Sequence, residues 1–303
     1  MLQDPNANQI GNVFADAVER VTPGVVAVHG RKRLPGSGTI WQVGDQAVIV
    51  TASHVVERED QLTVSLDGGE VPATLLGRDL SRDLAVLRVE IDDLQPVTIA
   101  DPAPRVGTFV MAVGRPFVPS TQASLGSVVF VGSIRYGSYR SGRMIHADPT
   151  LYPGFSGGPL IGASGTVYGI NTSGASQTGG ITIPAIQVSQ VAQDIVEFGY
   201  VQTAWLGVTV QQAPLAPEVA AEFPEQESGL LVQSVNEGTP AAEVGLQVDD
   251  MLVTVDGQPL EDPTDLRHFL CHGRIGDTVT VAILRDTTRL EIVVILSARP
   301  EQS

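Results

Sequence analysis

A serine framed by glycines, in Pro153-Gly154-Phe155-Ser156-Gly157-Gly158-Pro159-Leu160, is the strongest chemical signal in these 303 residues. A serine flanked this way can sit on a tight turn with its hydroxyl exposed. The backbone N–H groups of Gly154 and Ser156 can then converge on a developing oxyanion. A serine hydroxyl is a weak nucleophile until a base takes its proton, and the base needs an orienting group. Two upstream stretches supply such groups. Thr51-Ala52-Ser53-His54-Val55-Val56 places a histidine just past the apolar run Ala47–Val50. Asp79-Leu80-Ser81-Arg82-Asp83 places an aspartate at the mouth of the run Leu84–Leu87. Singly, each has a plain reading: a glycine-rich turn, a loop histidine, a carboxylate before a strand. Together and in order, each at a strand edge, they point to acyl transfer with Ser156 as nucleophile, His54 as base and Asp83 fixing the imidazole.

Other chemistries are poorly supplied. A serine–lysine dyad needs a lysine, and the only one is Lys32, inside the polar turn Arg31-Lys32-Arg33. No H-E-x-x-H pattern occurs, which removes the common zinc-protease arrangement. His268, Cys271 and His272 share one helix face by spacing, but no fourth ligand is evident. They are read as structural or groove-lining, and no metal is assigned.

The elements that must hold these residues are mostly strands. From Val21 to Ile183, apolar runs of four to seven residues alternate with glycine-marked turns: Val25–Val28, Ala47–Val50, Leu84–Leu87 and Val110–Val113. Their length and β-branched content predict strands rather than helices. A short helix is predicted around Val13–Arg20. Around Pro184 the period changes, with Val188, Val191, Ala192, Ile195 and Phe198 at helical spacing and Gly199 placed to end the helix. A second, smaller unit follows. Strands are predicted at Leu206–Gln211, Gly229–Val235, Met251–Val255, Val279–Leu284 and Leu290–Leu296. A short helix near Ala241–Val244 and another from about Thr264 to His272 accompany them, the latter opened by Asp262-Pro263 as cap and first helical residue. The division expected is 1–200 and 201–303.

Composition narrows the partners. With 34 acidic against 18 basic residues the net charge is −16, a surface that repels nucleic-acid phosphates and anionic lipid. The single cysteine, Cys271, allows no intrachain disulfide. No run of about 18 apolar residues could span a bilayer. The start, Met1-Leu2-Gln3-Asp4-Pro5-Asn6, lacks the basic and apolar regions of a signal peptide.

The order histidine, aspartate, serine is that of the chymotrypsin-type β-barrel proteases. More narrowly, Thr51–Val56, Asp83–Leu87 and Pro153–Leu160 resemble the three catalytic motifs of the HtrA (DegP/DegS) family. Gly36-Ser37-Gly38, Ala112-Val113-Gly114-Arg115-Pro116 and Ile181-Thr182-Ile183-Pro184 match as well. The resemblance runs from about Val13 to Leu296. It implies a mostly β chain: a chymotrypsin-like double β-barrel, then an α+β PDZ domain of the circularly permuted bacterial type. It also implies an ATP- and metal-independent endopeptidase acting on unfolded or regulatory proteins, in the cell envelope or periplasm. The alternative left open is a non-cleaving PDZ-bearing chaperone or adaptor on a protease fold.

By family position, Thr150 and Leu151 line the primary specificity pocket, and Trp205, Leu206, Gly207 and Val208 form the loop that receives a peptide carboxylate. Arg135, in the loop Gly132–Arg143, is the nearest candidate for a regulatory arginine, and Phe14 is expected to pack on a neighbour in a homotrimer. Phe155 and Tyr152 stand where the family usually has asparagine. In digestive relatives an aspartate before the serine captures a new N-terminus. Phe155 cannot do this, so activation by cleavage is not expected.

Overall fold

The structure, a computed structural model, describes residues 5–32, 34–67, 69–133, 135–136, 139–140, 143–173, 181–216, 223, 226–273, 275–286 and 288–298. Two compact units divide at Met1–Val201 and Gln202–Ser303.

The first unit holds two closed six-stranded barrels. One comprises β1 (Val25–His29), β2 (Gly36–Val43), β3 (Gln46–Ala52), β4 (Thr63–Leu66), β5 (Gly69–Asp79) and β6 (Leu84–Val89), in the order β1-β2-β3-β6-β5-β4. The apolar runs read as strands become β1, β3 and β6. Their continuous rather than alternating hydrophobicity has a direct cause: both faces are buried. Ile49, Ala85 and Leu87 fill the barrel interior, while Val48, Val50, Leu84 and Val86 face outward into a second core. That second core takes residues from both barrels and from two helices.

The other barrel uses β7 (Phe109–Phe117), β8 (Ser120–Gly132), β11 (Met144–Ala147), β12 (Pro159–Ile161), β13 (Val167–Thr172) and β14 (Ile181–Pro184). Between β8 and β11 lies the two-stranded pair β9 (Arg135–Tyr136) and β10 (Tyr139–Arg140). The side chain of Arg135 and most of its loop lie outside the described residues. Helix α2 (Ala185–Phe198) closes the unit; Gly199, at φ 81°, caps it in the left-handed conformation. Helix α1 spans Pro5–Val21, longer at its start than the apolar period around Val13–Arg20 indicated. Phe14 meets Phe109 of its own chain edge to face, with ring centroids 6.4 Å apart.

The second unit contains β15 (Ala204–Trp205), β16 (Val208–Pro214), β17 (Ser228–Val235), α3 (Pro240–Glu243), β18 (Met251–Val255) and β19 (Gln258–Pro259). It continues with α4 (Pro263–His272), β20 (Thr278–Arg285), β21 (Thr288–Ile295) and β22 (Ser297–Ala298). The main sheet runs β16-β17-β18-β20-β21, which leaves β16 at an edge. One expectation is corrected here. The strand predicted over Leu206–Gln211 starts at Val208, because Gly207 takes φ 90° and breaks the extended backbone after Trp205. Helix α4 opens on a capping box, in which Asp262 and Asp265 each accept from the other's end of the first turn.

Candidate active site

His54 and Asp83 come from neighbouring strands of one barrel. β3 ends at Ala52 and turns through Ser53–Val55, while Asp83 immediately precedes β6, the hydrogen-bonded partner of β3. Pairing of the strands therefore brings the two side chains together. His54 Nδ1 lies 2.7 Å from Asp83 Oδ2, and the His54 backbone N–H donates to Asp83 Oδ1 at 2.9 Å. Thr172, at the end of β13 in the other barrel, also donates to Asp83 Oδ2. Burial alone would raise the Asp83 carboxyl. The hydrogen bonds from His54 and Thr172 outweigh it and hold the group below its ordinary value. An ionised Asp83 bonded to Nδ1 selects the tautomer that leaves Nε2 free to accept a proton.

Asp83 itself sits at φ 55°, an unusual conformation for a residue with a side chain. The preceding turn supports it. Asp79 accepts from Ser81 N–H at 2.9 Å, Ser81 Oγ at 2.6 Å and Arg82 N–H at 3.2 Å, and pairs with the Arg82 guanidinium.

Ser156 lies on the loop between β11 and β12. Phe155 N–H donates to Tyr152 O at 3.0 Å, closing a turn with Pro153 second and Gly154 third at φ 93°. Proline fixes a negative φ in the second place and the third is positive, so the turn is of type II. A Cβ on Gly154 would also stand 2.6 Å from Pro116. Among the described residues no protein group accepts from the N–H of Gly154 or of Ser156. Two unpaired donors beside a serine can stabilise an oxyanion. The Ser156 hydroxyl bonds to Ser173 Oγ at 3.0 Å and receives Ser173 N–H at 3.4 Å; among the described residues it makes no hydrogen bond to His54.

Leu151 is half-buried against the core cluster that includes Ile145, Phe155 and Leu160, and Thr150 is exposed. The acid nearest them in sequence, Asp148, faces Ser127, whose N–H it accepts at 2.5 Å. Phe155, in place of the family's asparagine, is 0% exposed and packs edge-on to Tyr152 at 5.5 Å. It is a core side chain of the second barrel rather than a polar member of the site.

In the second unit Leu206 is buried, Trp205 pairs with Ser297 in β15–β22, and Val208 opens the edge strand β16. A Cβ on Gly207 would fall 2.3 Å from Thr239. The carbonyls of Leu206 and Gly207 accept from Ala241 and Asn236 at 2.9 Å each, while their N–H groups have no protein acceptor among the described residues. No cluster of three metal-ligating side chains occurs among the described residues; the side chain of His272 lies outside them.

Sequence reasoning gave no role to Thr172, Ser173, Ser37 or Asp79. Ser37 stood inside the quoted Gly36-Ser37-Gly38 string, and Thr172-Ser173 follow an apolar run as two hydroxyls. Those were the available signals.

Comparison with known proteins agrees with this anatomy. Residues 36–170 match the trypsin-like peptidase domain family and residues 205–296 the PDZ domain family. The chain is 34% identical over 283 residues to the "Probable periplasmic serine endoprotease DegP-like" of Brucella suis biovar 1, covering 90% of this chain and 54% of that protein. The protein of the same name from Halomonas elongata is 32% identical over 300 residues, covering 96% and 62%. The chain thus spans about half the length of the first of these curated relatives. Among solved structures, the HtrA-type protease AlgW with tripeptide superposes with a TM-score of 0.69 at 31% identity, covering 95% of this chain and 98% of that one. A serine endoprotease from Yersinia pestis gives 0.65 at 26% identity, covering 95% and 98%.

Proposed function

This chain belongs to the HtrA family of serine proteases, and we propose that it is an ATP-independent endopeptidase in which Ser156, His54 and Asp83 act as one catalytic unit. The observation that carries the reading is the 2.7 Å contact of His54 Nδ1 with a carboxylate held below its ordinary value by its hydrogen bonds, together with the N–H groups of Gly154 and Ser156, which have no protein acceptor among the described residues. Ser156 Oγ attacks the scissile carbonyl as its proton passes to His54 Nε2. Asp83 stabilises the imidazolium, and the N–H groups of Gly154 and Ser156 receive the oxyanion. Collapse expels the amine, protonated by His54, and leaves an acyl-enzyme on Ser156. Water, activated by the same histidine, then releases the acid.

The second unit recognises peptide C-termini. The N–H groups of Leu206 and Gly207 meet the carboxylate, and β16 accepts the peptide as an added strand. Substrates are unfolded or regulatory proteins. The compartment is the periplasm, by analogy with relatives named for it. The protease units assemble as homotrimers.

A fluorophosphonate probe and casein cleavage test the reading. Wild-type protein should take up label and cleave casein, and Ser156→Ala should do neither. Asp83→Asn should retain the fold yet lose kcat by about 10⁴, since asparagine favours the wrong imidazole tautomer. Wild-type protein that neither labels nor cleaves would leave only a peptide-binding scaffold.

A further inference from the structure

We infer that Ser37 is a positioning residue for the oxyanion donors, an inference that rests on the proteolytic reading above. Ser37 lies on β2 and is 0% exposed, yet its N–H and its hydroxyl proton are both spent on the segment that carries the nucleophile. Its N–H donates to Ser156 O at 2.9 Å. Its Oγ donates to Gly154 O at 2.7 Å and accepts from Arg115 N–H at 2.8 Å. Its own carbonyl accepts from Thr51 Oγ1 at 2.7 Å, three residues before His54. Because a hydroxyl has one proton, acceptance from Arg115 leaves that proton committed to Gly154.

The two carbonyls that Ser37 holds bracket Phe155, and they belong to the residues whose N–H groups face a substrate oxygen. Phe155 N–H is tied in turn to Tyr152 O. The peptide unit from Gly154 to Phe155 is therefore fixed at both its oxygen and its nitrogen, and the Ser156 carbonyl is fixed by the Ser37 backbone N–H. The fit leaves no slack: a Cβ on Gly157 would stand 2.0 Å from Ser37 O. Arg115 is anchored independently, its guanidinium bonding Val25 O at 3.1 Å and pairing with Asp67. Ser37 thus touches no reacting atom but sets the direction of two N–H groups, on which oxyanion stabilisation depends steeply.

Three purified full chains test this: wild type, Ser37→Ala and Ser37→Thr. Ser37→Ala should lower kcat about tenfold to a hundredfold, less than outright removal of an oxyanion donor, with KM changed by less than about threefold. Ser37→Thr keeps the hydroxyl and should recover most of kcat. Val28→Ala, a core change in the same barrel, should lower Tm comparably and leave kcat unchanged. A separate arm needs no turnover: amide exchange over residues 152–156 should be faster in Ser37→Ala than in wild type. Should Ser37→Ala fail to fold, Ser37→Cys, which keeps the side-chain shape with a somewhat larger atom and donates weakly, takes its place in both arms. Unchanged kcat in an otherwise active enzyme, or unchanged exchange over 152–156, overturns the role of Ser37. Wild-type protein with no Ser156-dependent cleavage overturns the proteolytic reading instead, and the exchange comparison still decides whether Ser37 holds the turn.

Discussion

Ser156 Oγ points at Ser173 Oγ, 3.0 Å away, and not at the imidazole of His54. Whenever Ser156 is the donor, this contact competes with His54 for the proton of the nucleophile. A neutral hydrogen bond contributes about 0.5–1.5 kcal/mol net, so losing it should favour the attacking rotamer by roughly twofold to tenfold. Ser173→Ala is therefore expected to label faster with a fluorophosphonate, by about that factor, at unchanged Tm. Equal or slower labelling would mean that the hydroxyl contact does not compete with His54.

The contrast between Ser156 and Ser173 also marks what the sequence could carry. His54 and Asp83 were legible because each adjoins an apolar run of four residues that reads as a strand, and Ser156 because of its glycine frame. Pairing of β3 with β6 then brings the histidine and the aspartate together with little further information. Ser173 and Ser37 were not legible in this way. Their partners lie 17 and 117 residues distant, and nothing local separates such a hydroxyl from any other polar residue near a strand. The same limit explains the misplaced strand at Leu206. Val208, Val210 and Leu206 look periodic together, yet Gly207 turns to φ 90° and interrupts the extended backbone between them. The start of α1 was missed because Pro5–Gly11 is polar and offers no apolar period. The strand runs and their turns indicated a mostly β chain, while the double barrel and the PDZ topology came from the family resemblance.

Asp79 provides a pH-dependent test of the turn that supports Asp83. Burial raises its carboxyl, but the charge of Arg82 and the hydrogen bonds from Ser81 and Arg82 win, leaving it below the ordinary 3.8. The folded state therefore favours the carboxylate. The stabilisation is fully present above pH 3.8 and is lost as pH falls through the lower, folded value. Asp79→Asn removes one carboxylate from the buried Arg82 and should cost about 2 kcal/mol at neutral pH. Urea unfolding at pH 7 and pH 3 should show the gap between the two proteins narrowing in acid. A gap of constant size would show that the ion pair does not contribute.

Cleavage should fall after Val, Ala, Ile or Leu. Leu151 packs on the apolar core, Thr150 carries no charge, and Asp148 is turned away to Ser127. A lysine or arginine entering this pocket would lose its hydration without gaining a partner. Mass-spectrometric mapping of casein fragments gives the distribution directly. A majority of sites after Lys or Arg would sink the assignment of Thr150 and Leu151.

Peptides ending in a free, apolar C-terminus should bind the second unit and raise the cleavage rate of the full chain. The proposed acceptor site has two parts. The N–H groups of Leu206 and Gly207 lack protein acceptors among the described residues, and β16 offers an unpaired edge. A carboxylate bonded to such donors is a charge-assisted contact, so amidation of the peptide should weaken binding by about tenfold or more. Activation requires more than binding, because an effector shifts a two-state site only by its differential affinity for the two states; about 1–3 kcal/mol corresponds to roughly 5–150-fold. Gly207→Ala introduces a Cβ at φ 90° against Thr239 and should abolish both binding and activation while leaving the basal rate near that of wild type. Arg135→Ala should blunt activation more than basal cleavage if the loop between β8 and β11 carries the signal. Fluorescence anisotropy gives the affinity, and casein turnover with free or amidated peptide gives the rate. Tight binding of the free peptide with no change in turnover would reduce the PDZ unit to a tether for substrates.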